Sequence, residues 1–428
     1  MNHFAPVAWL VRALTLTALS TLSHLTLADA LPMPGYCEPA WTFATQGPNF
    51  AAPAVEGDMV LIGSGDGFVY ALDAATGQPR WRFVTGAAAD SMPVVADGQV
   101  FVQSRDGYFY SLDANTGELV WRKPSGEPGP VDFWDFTLAP AATAGGMVLF
   151  GSGDGSLYAL SQKDGEPRWR VHTNGALRGQ PLIVDDGVFL GSFDGYFRAL
   201  DLATGELLWQ FKTVGSTYFP EGAIQGSASH HDGIVYFGSR DYNLYALNAE
   251  TGTGRWNQRT LSWVIGAPLI YDDRVYFGTS DSLSLHATDR LTGKPAWERD
   301  LRARLFAEPV AHEGRIYLGA FNGLFHAIDP ADGTVAWRFA TAGNKTNRRR
   351  VYDAAEAWQD DFRQMYGEGQ GMEAEQLILQ LGSIASRVAI YDDLIIFAST
   401  DHHIYAVPAE SPDIPASARE DGCITNSY

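Results

Sequence analysis

The sequence has 428 residues and a formal net charge of −20, from 30 Lys and Arg against 50 Asp and Glu. A surface of that sign repels nucleic-acid phosphates and anionic headgroups, which excludes nucleic-acid binding as the organising function and favours basic partners or cations. With 46% hydrophobic residues and 45 glycines, the chain reads as a turn-rich globular protein rather than a disordered or fibrous one.

In chain order, residues 1–30 read as a secretory signal. Arg12 supplies the positive start, residues 13–27 the apolar run and Ala28-Asp29-Ala30 a cleavage site. The run is too short and too rich in Ser and Thr for a membrane span. Lipid attachment requires a small residue directly before a cysteine, whereas Tyr36 precedes Cys37. The expected product, 31–428, is therefore periplasmic, monomeric, without a lipid anchor and without a transmembrane segment. Cys37 and Cys423 lie on either side of the repeats described next, where an oxidising compartment favours a disulfide stapling the two ends.

From Trp41 onward one unit recurs. Its turn carries Asp66, Asp106, Asp154, Asp194, Asp241 and Asp281, then Asn322 and Asp401; the first six steps are 40, 48, 40, 47, 40 and 41 residues. Trp81, Trp121, Trp169, Trp209, Trp256, Trp297 and Trp337 close successive copies, and Trp41 stands before the first turn. In the second copy, strands predicted at 92–96, 100–103, 108–112 and 119–122 are separated by Ala-Asp-Gly, Arg-Asp-Gly and Asp-Ala-Asn-Thr-Gly turns. Asp-Gly between alternating apolar runs is a strong hairpin signal. Four strands in about 40 residues, repeated down the chain, predict an all-β fold, the β-propeller of four-stranded antiparallel blades. Eight turns and eight tryptophans balance only if the strand at Trp41–Phe43 completes the last blade, so eight blades closed by the N-terminal strand are expected. The eight tryptophans are structural in this reading. Tyr70, Tyr110, Tyr158 and Tyr245 repeat at one packing position, and His286 and His326 replace them in later copies.

The segment Ala71-Leu72-Asp73-Ala74-Ala75-Thr76-Gly77-Gln78-Pro79-Arg80-Trp81 resembles the tryptophan-docking motif of the pyrroloquinoline-quinone (PQQ) repeat family. Leu112-Asp113, Thr116-Gly117 and Trp121 repeat it, as do Leu200-Asp201, Thr204-Gly205 and Trp209; the third copy departs with Ser161 for Asp. The resemblance covers roughly 41–408. That family includes quinoprotein alcohol dehydrogenases and the propeller subunit (BamB) of the outer-membrane assembly machinery. It implies the fold and leaves the chemistry open, because the repeat builds blades in enzymes and non-enzymes alike.

Three insertions, 123–138, 212–226 and 341–386, fall in links between blades and so decorate one face, while the opposite face stays minimal. The first holds Asp132-Phe133-Trp134-Asp135-Phe136, which suits either a plug of the central channel or a ligand grip; the second holds Tyr218-Phe219-Pro220-Glu221. In the third, Asp353 to Glu356 reads as a helix N-cap. Ala354, Trp358, Phe362, Met365 and Tyr366 follow on one helical face, and a second helix is expected over 372–381. Lys345 and Arg348-Arg349-Arg350 precede this hairpin and, with Trp358, are the candidate partner-binding residues.

A PQQ enzyme, as the resemblance implies, requires calcium held by carboxylate and amide oxygens, a carboxylate base and a tryptophan floor under the quinone. Trp134 and Trp263 are the candidates for the floor, and Asp132, Asp135 and Glu221 for the cation. No catalytic motif is matched residue by residue, and nucleophile elbow, phosphate loop and haem motifs are absent from the sequence. The expected function is thus protein binding or scaffolding in envelope or outer-membrane protein assembly, with no cofactor. The alternative is a small oxidoreductase using PQQ and calcium on alcohols or sugars.

Overall fold

The computed structural model describes residues 38–126, 132–354, 357–367 and 370–409. Among them, thirty-two strands form eight four-stranded antiparallel sheets. Blades 1 to 7 span 54–84, 94–124, 142–172, 182–212, 229–259, 269–300 and 310–340. Blade 8 takes three strands from 389–408 and its outer strand from Trp41–Ala44, which pairs in the register Trp41 to Ala406 and Ala44 to His403. This is the closure that the count of tryptophans demands. The first and last segments share one sheet, so the ring has no seam of unpaired backbone at that point. The candidate disulfide pair, Cys37 and Cys423, and the signal at 1–30 lie outside the described residues.

Each blade grades from core to solvent. The inner strands are three residues long and lie beside one another around the axis. The second and third strands are continuously buried, as in Met59–Gly63 and Phe68–Asp73, and the outer strand alternates, as in Pro79–Val84. The second-copy strands run Val94–Ala96, Gln99–Ser104, Tyr108–Asp113 and Leu119–Pro124. The inner one begins two residues later than expected, because Met92 and Pro93 turn in from the link toward the channel.

Two stitches join neighbouring blades. On the minimal face, the outer-strand tryptophan of one blade lies on the Thr-Gly turn of the next and donates its indole N–H to a carbonyl there. Trp41 bonds Ala74 O at 3.0 Å, Trp81 bonds Ala114 O at 2.9 Å, and Trp209 bonds Ala249 O at 3.0 Å. The turn glycine leaves room for the ring: a Cβ at Gly117, where φ is +71°, would stand 2.5 Å from the Trp81 indole. Trp337 is the exception. The equivalent carbonyl, Ala409 O, accepts the Tyr317 hydroxyl at 2.7 Å, but the buried Trp337 Nε1 has no partner among the described residues.

On the loop-bearing face, the turn aspartate joins its own blade to the preceding link. Asp106 accepts the Tyr110 hydroxyl at 2.6 Å and the Gly86 N–H at 2.7 Å. Asp241 does the same for Tyr245 at 2.6 Å and Gly215 N–H at 3.1 Å. The repeated tyrosine is thus a latch as well as a packing residue; burial and the aspartate together push the Tyr110 hydroxyl up to about 12. In blade 4, Arg198 replaces the tyrosine and meets Asp194 at 2.8 Å.

Blade 7 loses the latch altogether. Asn322 and His326 stand in place of Asp and Tyr, and His326 is buried with both ring nitrogens unpartnered. Burial, with Arg338 nearby, pushes its imidazole from 6.5 down to about 3. The folded protein therefore binds this proton only near pH 3, whereas the unfolded chain binds it near 6.5. The resulting stability is fully present above pH 6.5 and is lost as pH falls from there toward 3. We expect His326→Tyr to remove on the order of 2–3 kcal/mol of the difference in unfolding free energy between pH 7 and pH 4. Urea denaturation of wild type and variant at the two pH values measures it.

Candidate functional site: the plugged mouth of the propeller

The first insertion enters the axis from the link between blades 2 and 3, and arginines from around the ring hold it there. Arg178, in the link into blade 4, grips the Asp135 carboxylate in bidentate fashion, Nε to Oδ1 at 2.6 Å and Nη2 to Oδ2 at 2.7 Å, with both side chains buried. Arg240, in a turn of blade 5, pairs with Asp132 and with Gln225 Oε1, and its guanidinium lies 4.7 Å from the centre of the Trp263 ring. Arg304, in the link into blade 7, lies 4.6 Å from the Trp134 ring. Arg105, in a turn of blade 2, donates to Phe136 O at 2.7 Å and to Asp90 Oδ2 at 2.5 Å. Phe136 stacks on Phe50 at 4.9 Å. A planar, permanently charged fork that also stacks on aromatic faces suits this task better than lysine would.

The helical insertion lies over the same mouth. A short helix, α1 (Ala342–Asn347), is capped by Thr341, whose hydroxyl accepts the Asn344 N–H, and runs into a 3-10 turn at Arg348–Arg350. The expected helix start at Asp353 is corrected. Asp353 Oδ1 accepts the Ala357 N–H, closing a turn that pairs Tyr352 with Trp358, and α2 (Asp360–Gly367) begins later. The next helix, α3 (Gly371–Leu379), starts one residue before its expected position and ends two residues earlier. Phe362, Ala374 and Ile378 pack with Tyr352 against Phe306 and Phe321 of the propeller. Glu375 of α3 meets Arg304 at 2.8 Å, which ties the hairpin to the plug through one guanidinium.

The structure places the remaining candidates as follows. Lys345 is exposed, with its ammonium 5.5 Å from the Phe339 ring; Arg349 and Arg350 are exposed, and Arg350 donates to Gln380 Oε1 at 2.7 Å. These cations stand at the C-terminal end of a helix that pattern reading missed, not before an N-terminus, so the helix dipole favours them. Trp358 is half-buried at the hairpin base. Glu221 is exposed and faces Lys212 at 3.5 Å. Trp134 and Trp263 are brought to the same mouth, but each has an arginine on its ring.

These residues do not fit PQQ with calcium. Asp132 and Asp135 are engaged by arginines, and one guanidinium lies over each of the two tryptophan rings. Among the described residues, no group of three or more His, Cys, Asp or Glu could hold a metal ion. The arrangement can close the mouth and present its outer surface.

That outer surface has one unusual patch. Leu261 (φ +61°) and Tyr242 (φ +72°) occupy the left-handed region, as Arg302 (φ +56°) and Leu283 (φ +57°) do at the equivalent positions of the next blade; at the Tyr242 position blade 4 uses glycine, Gly195 (φ +75°). Leu261 is 72% exposed; in the second insertion Val214 is 70% and Tyr218 79% exposed. Leucine in that region costs on the order of 1–2 kcal/mol relative to glycine.

A PQQ-repeat family profile described as outer membrane protein assembly factor BamB matches residues 38–136, 132–224 and 219–411. The chain belongs to this family. Its similarity to individual members is distant. It is 27% identical over 190 residues to the dehydrogenase subunit of a quinone-dependent alcohol dehydrogenase from Komagataeibacter europaeus, which is 41% of this chain and 21% of that protein. It is 29% identical over 96 residues to the assembly factor BamB of Xanthomonas campestris, 22% of this chain and 23% of that protein. The chain thus matches less than a quarter of the length of either relative. Among solved structures it is similar to BamB from Moraxella catarrhalis, with TM-score 0.64 and 20% identity over 86% of this chain and 96% of that one. It is similar to a europium-containing methanol dehydrogenase at TM-score 0.63 and 14% identity, over 84% of each chain. At these identities the structures share the fold alone.

The arginines were the residues that pattern reading missed, and a signal existed. Arg105 and Arg240 directly precede turn aspartates, where Gly65 and Gly153 stand in other copies. Removing one member of the buried pair is the sharper test of the plug. We expect Asp135→Asn to cost about 3–5 kcal/mol, since it removes the carboxylate charge that the buried Arg178 grips. Asp132→Asn should cost less, because Arg240 keeps Gln225 and the Trp263 face. Urea unfolding of the two variants ranks them.

Proposed function

We propose that this propeller is an exported, periplasmic protein-binding module that scaffolds assembly of envelope or outer-membrane proteins, with the loop-bearing face as its recognition surface. The observation that carries the reading is the plugged mouth. The charged and aromatic groups that would line a cofactor chamber are spent on internal pairing, while exposed apolar and cationic groups remain on the outer surface. Family membership supports the same class of role. Among the described residues, no helix is long and apolar enough to cross a membrane.

The exposed leucine supports the reading further. A side chain held in strained backbone and facing water is retained against stability, as expected of a contact residue. Arg348, Arg349 and Arg350 add a basic edge to an acidic chain and suit an acidic segment of the partner. We expect Leu261→Gly to leave the melting temperature unchanged or higher, despite the loss of a leucine. The same substitution, and Arg348–Arg350 changed together to alanine, should each reduce partner capture in periplasmic cross-linking. Unchanged capture by both variants would sink the assignment of this face.

The quinoprotein reading draws on the alignment with the alcohol dehydrogenase subunit over 41% of the chain. It is tested by titrating metal-stripped protein with PQQ, with and without calcium, while following tryptophan fluorescence. Our reading expects no calcium-dependent quenching. Micromolar binding that requires calcium would replace it with the oxidoreductase.

A further inference from the structure

Beneath the plug, on the axis, lies a cavity of about 100 Å³. Residues just before each inner strand ring it, so equivalent positions in successive blades supply its wall. The ring is chemically divided. Ala52, Met92 and Pro140 from blades 1 to 3 make an apolar side, and Gln180, Ser227, Glu308 and Arg387 make a polar one. Phe50, Phe136 and Phe306 close it on the plug side.

Asp90 and Ser386 each hold in this wall a buried oxygen with no hydrogen-bond partner among the described residues, and the Arg178 guanidinium that grips Asp135 lines the wall as well. Asp90, 5% exposed, gives Oδ2 to Arg105 and leaves Oδ1 without a hydrogen bond; the Ser386 hydroxyl is likewise unpaired. A desolvated carboxylate oxygen without a donor is costly, and native interiors fill such positions. Burial raises the Asp90 carboxyl above the usual carboxylate range although Arg105 opposes it, and burial raises Glu308 in the same sense against Arg387, which stands 4.0 Å away. Asp90 Oδ1 is thus an acceptor open to a ligand's donor, and Ala52, Met92 and Pro140 offer apolar wall.

Access comes from the minimal face. A channel lined by the inner strands opens there and shares Met92, Gln180 and Arg387 with the cavity. The turns at its rim are acidic in seven blades: Asp58, Asp97, Asp186, Asp232, Asp273, Glu313 and Asp393 are exposed, and blade 3 has Gly145-Gly146 instead. Such a rim concentrates cations and repels anions.

We propose that the axial cavity is a binding site for a small organic cation, an alkylammonium group that donates to Asp90 Oδ1 and lays its chain along Ala52 and Met92. Aromatic rings at the plug suit a cation further. The site is independent of the protein-docking face, and its ligand class is opposite in charge to a carboxylate-bearing quinone.

The test uses the purified chain in phosphate buffer at fixed ionic strength, with propylammonium, 1-propanol, propionate and sodium as probes. Saturation-transfer NMR and thermal denaturation read binding. Propylammonium should bind at roughly 10 mM or tighter, and the other three should give no response. Asp90→Asn should weaken binding at least tenfold. Ala52→Leu, which fills the apolar side without touching a charge, should do the same and decides the matter if Asp90→Asn does not fold. Absence of any response means that the cavity holds water only and overturns the proposal. So does an equal response to 1-propanol or sodium, or binding unchanged in both variants.

Discussion

Each tryptophan on an outer strand except Trp337 donates its indole N–H to a carbonyl of the next blade, and the ring depends on that contact. A single four-stranded blade is too small to stand alone in water, since its second and third strands are apolar on both faces. Stability comes from stacking one blade on the next. The tryptophan sets how the stack is made, because the indole fits only over a glycine in left-handed conformation at the facing turn. The aspartate at the other face fixes the same junction from the opposite side. Where a junction has both contacts, as between blades 1 and 2, two fixed points define the rotation of one blade on the next.

This rigidity lets the loops be precise. The plug is held by guanidinium groups that arrive from the blade 2 and blade 5 turns and from the links into blades 4 and 7. Their convergence on one short segment requires each blade to stand at its proper angle. The resulting closed mouth bears on function by subtraction: groups that look chemically active in the linear sequence are consumed in holding the loop. The patch around Leu261 is different, because nothing in the fold requires a leucine in that conformation, and its side chain touches little of the propeller.

Much of the architecture was legible because it is periodic. Spacing, turn chemistry and the unmatched Trp41 were enough for blade number and closure, and the face carrying the insertions followed from strand count. The hairpin was less legible. Asp353 looks like a cap, but its carboxylate closes a wider turn, and the helical tendency of Ala342–Asn347 was hidden by the cations that follow it. Least legible was the pairing of Asp132 and Asp135, whose arginine partners lie 108 and 43 residues away in sequence. No local pattern encodes such contacts, because they exist only once the ring brings distant links to one axis.

The strand at Trp41–Ala44 finds its place only against the strand that ends at Pro408, so the earliest part of the ring to be synthesised waits for nearly the last. Seven blades can assemble in order as the chain emerges, each on its predecessor, while blade 8 stays one strand short and blade 1 has no neighbour behind it. Until the circle is completed, blade 8 presents an edge of unpaired backbone to which another strand can add. A holding factor that keeps the two ends apart from other molecules would have its greatest effect in that interval.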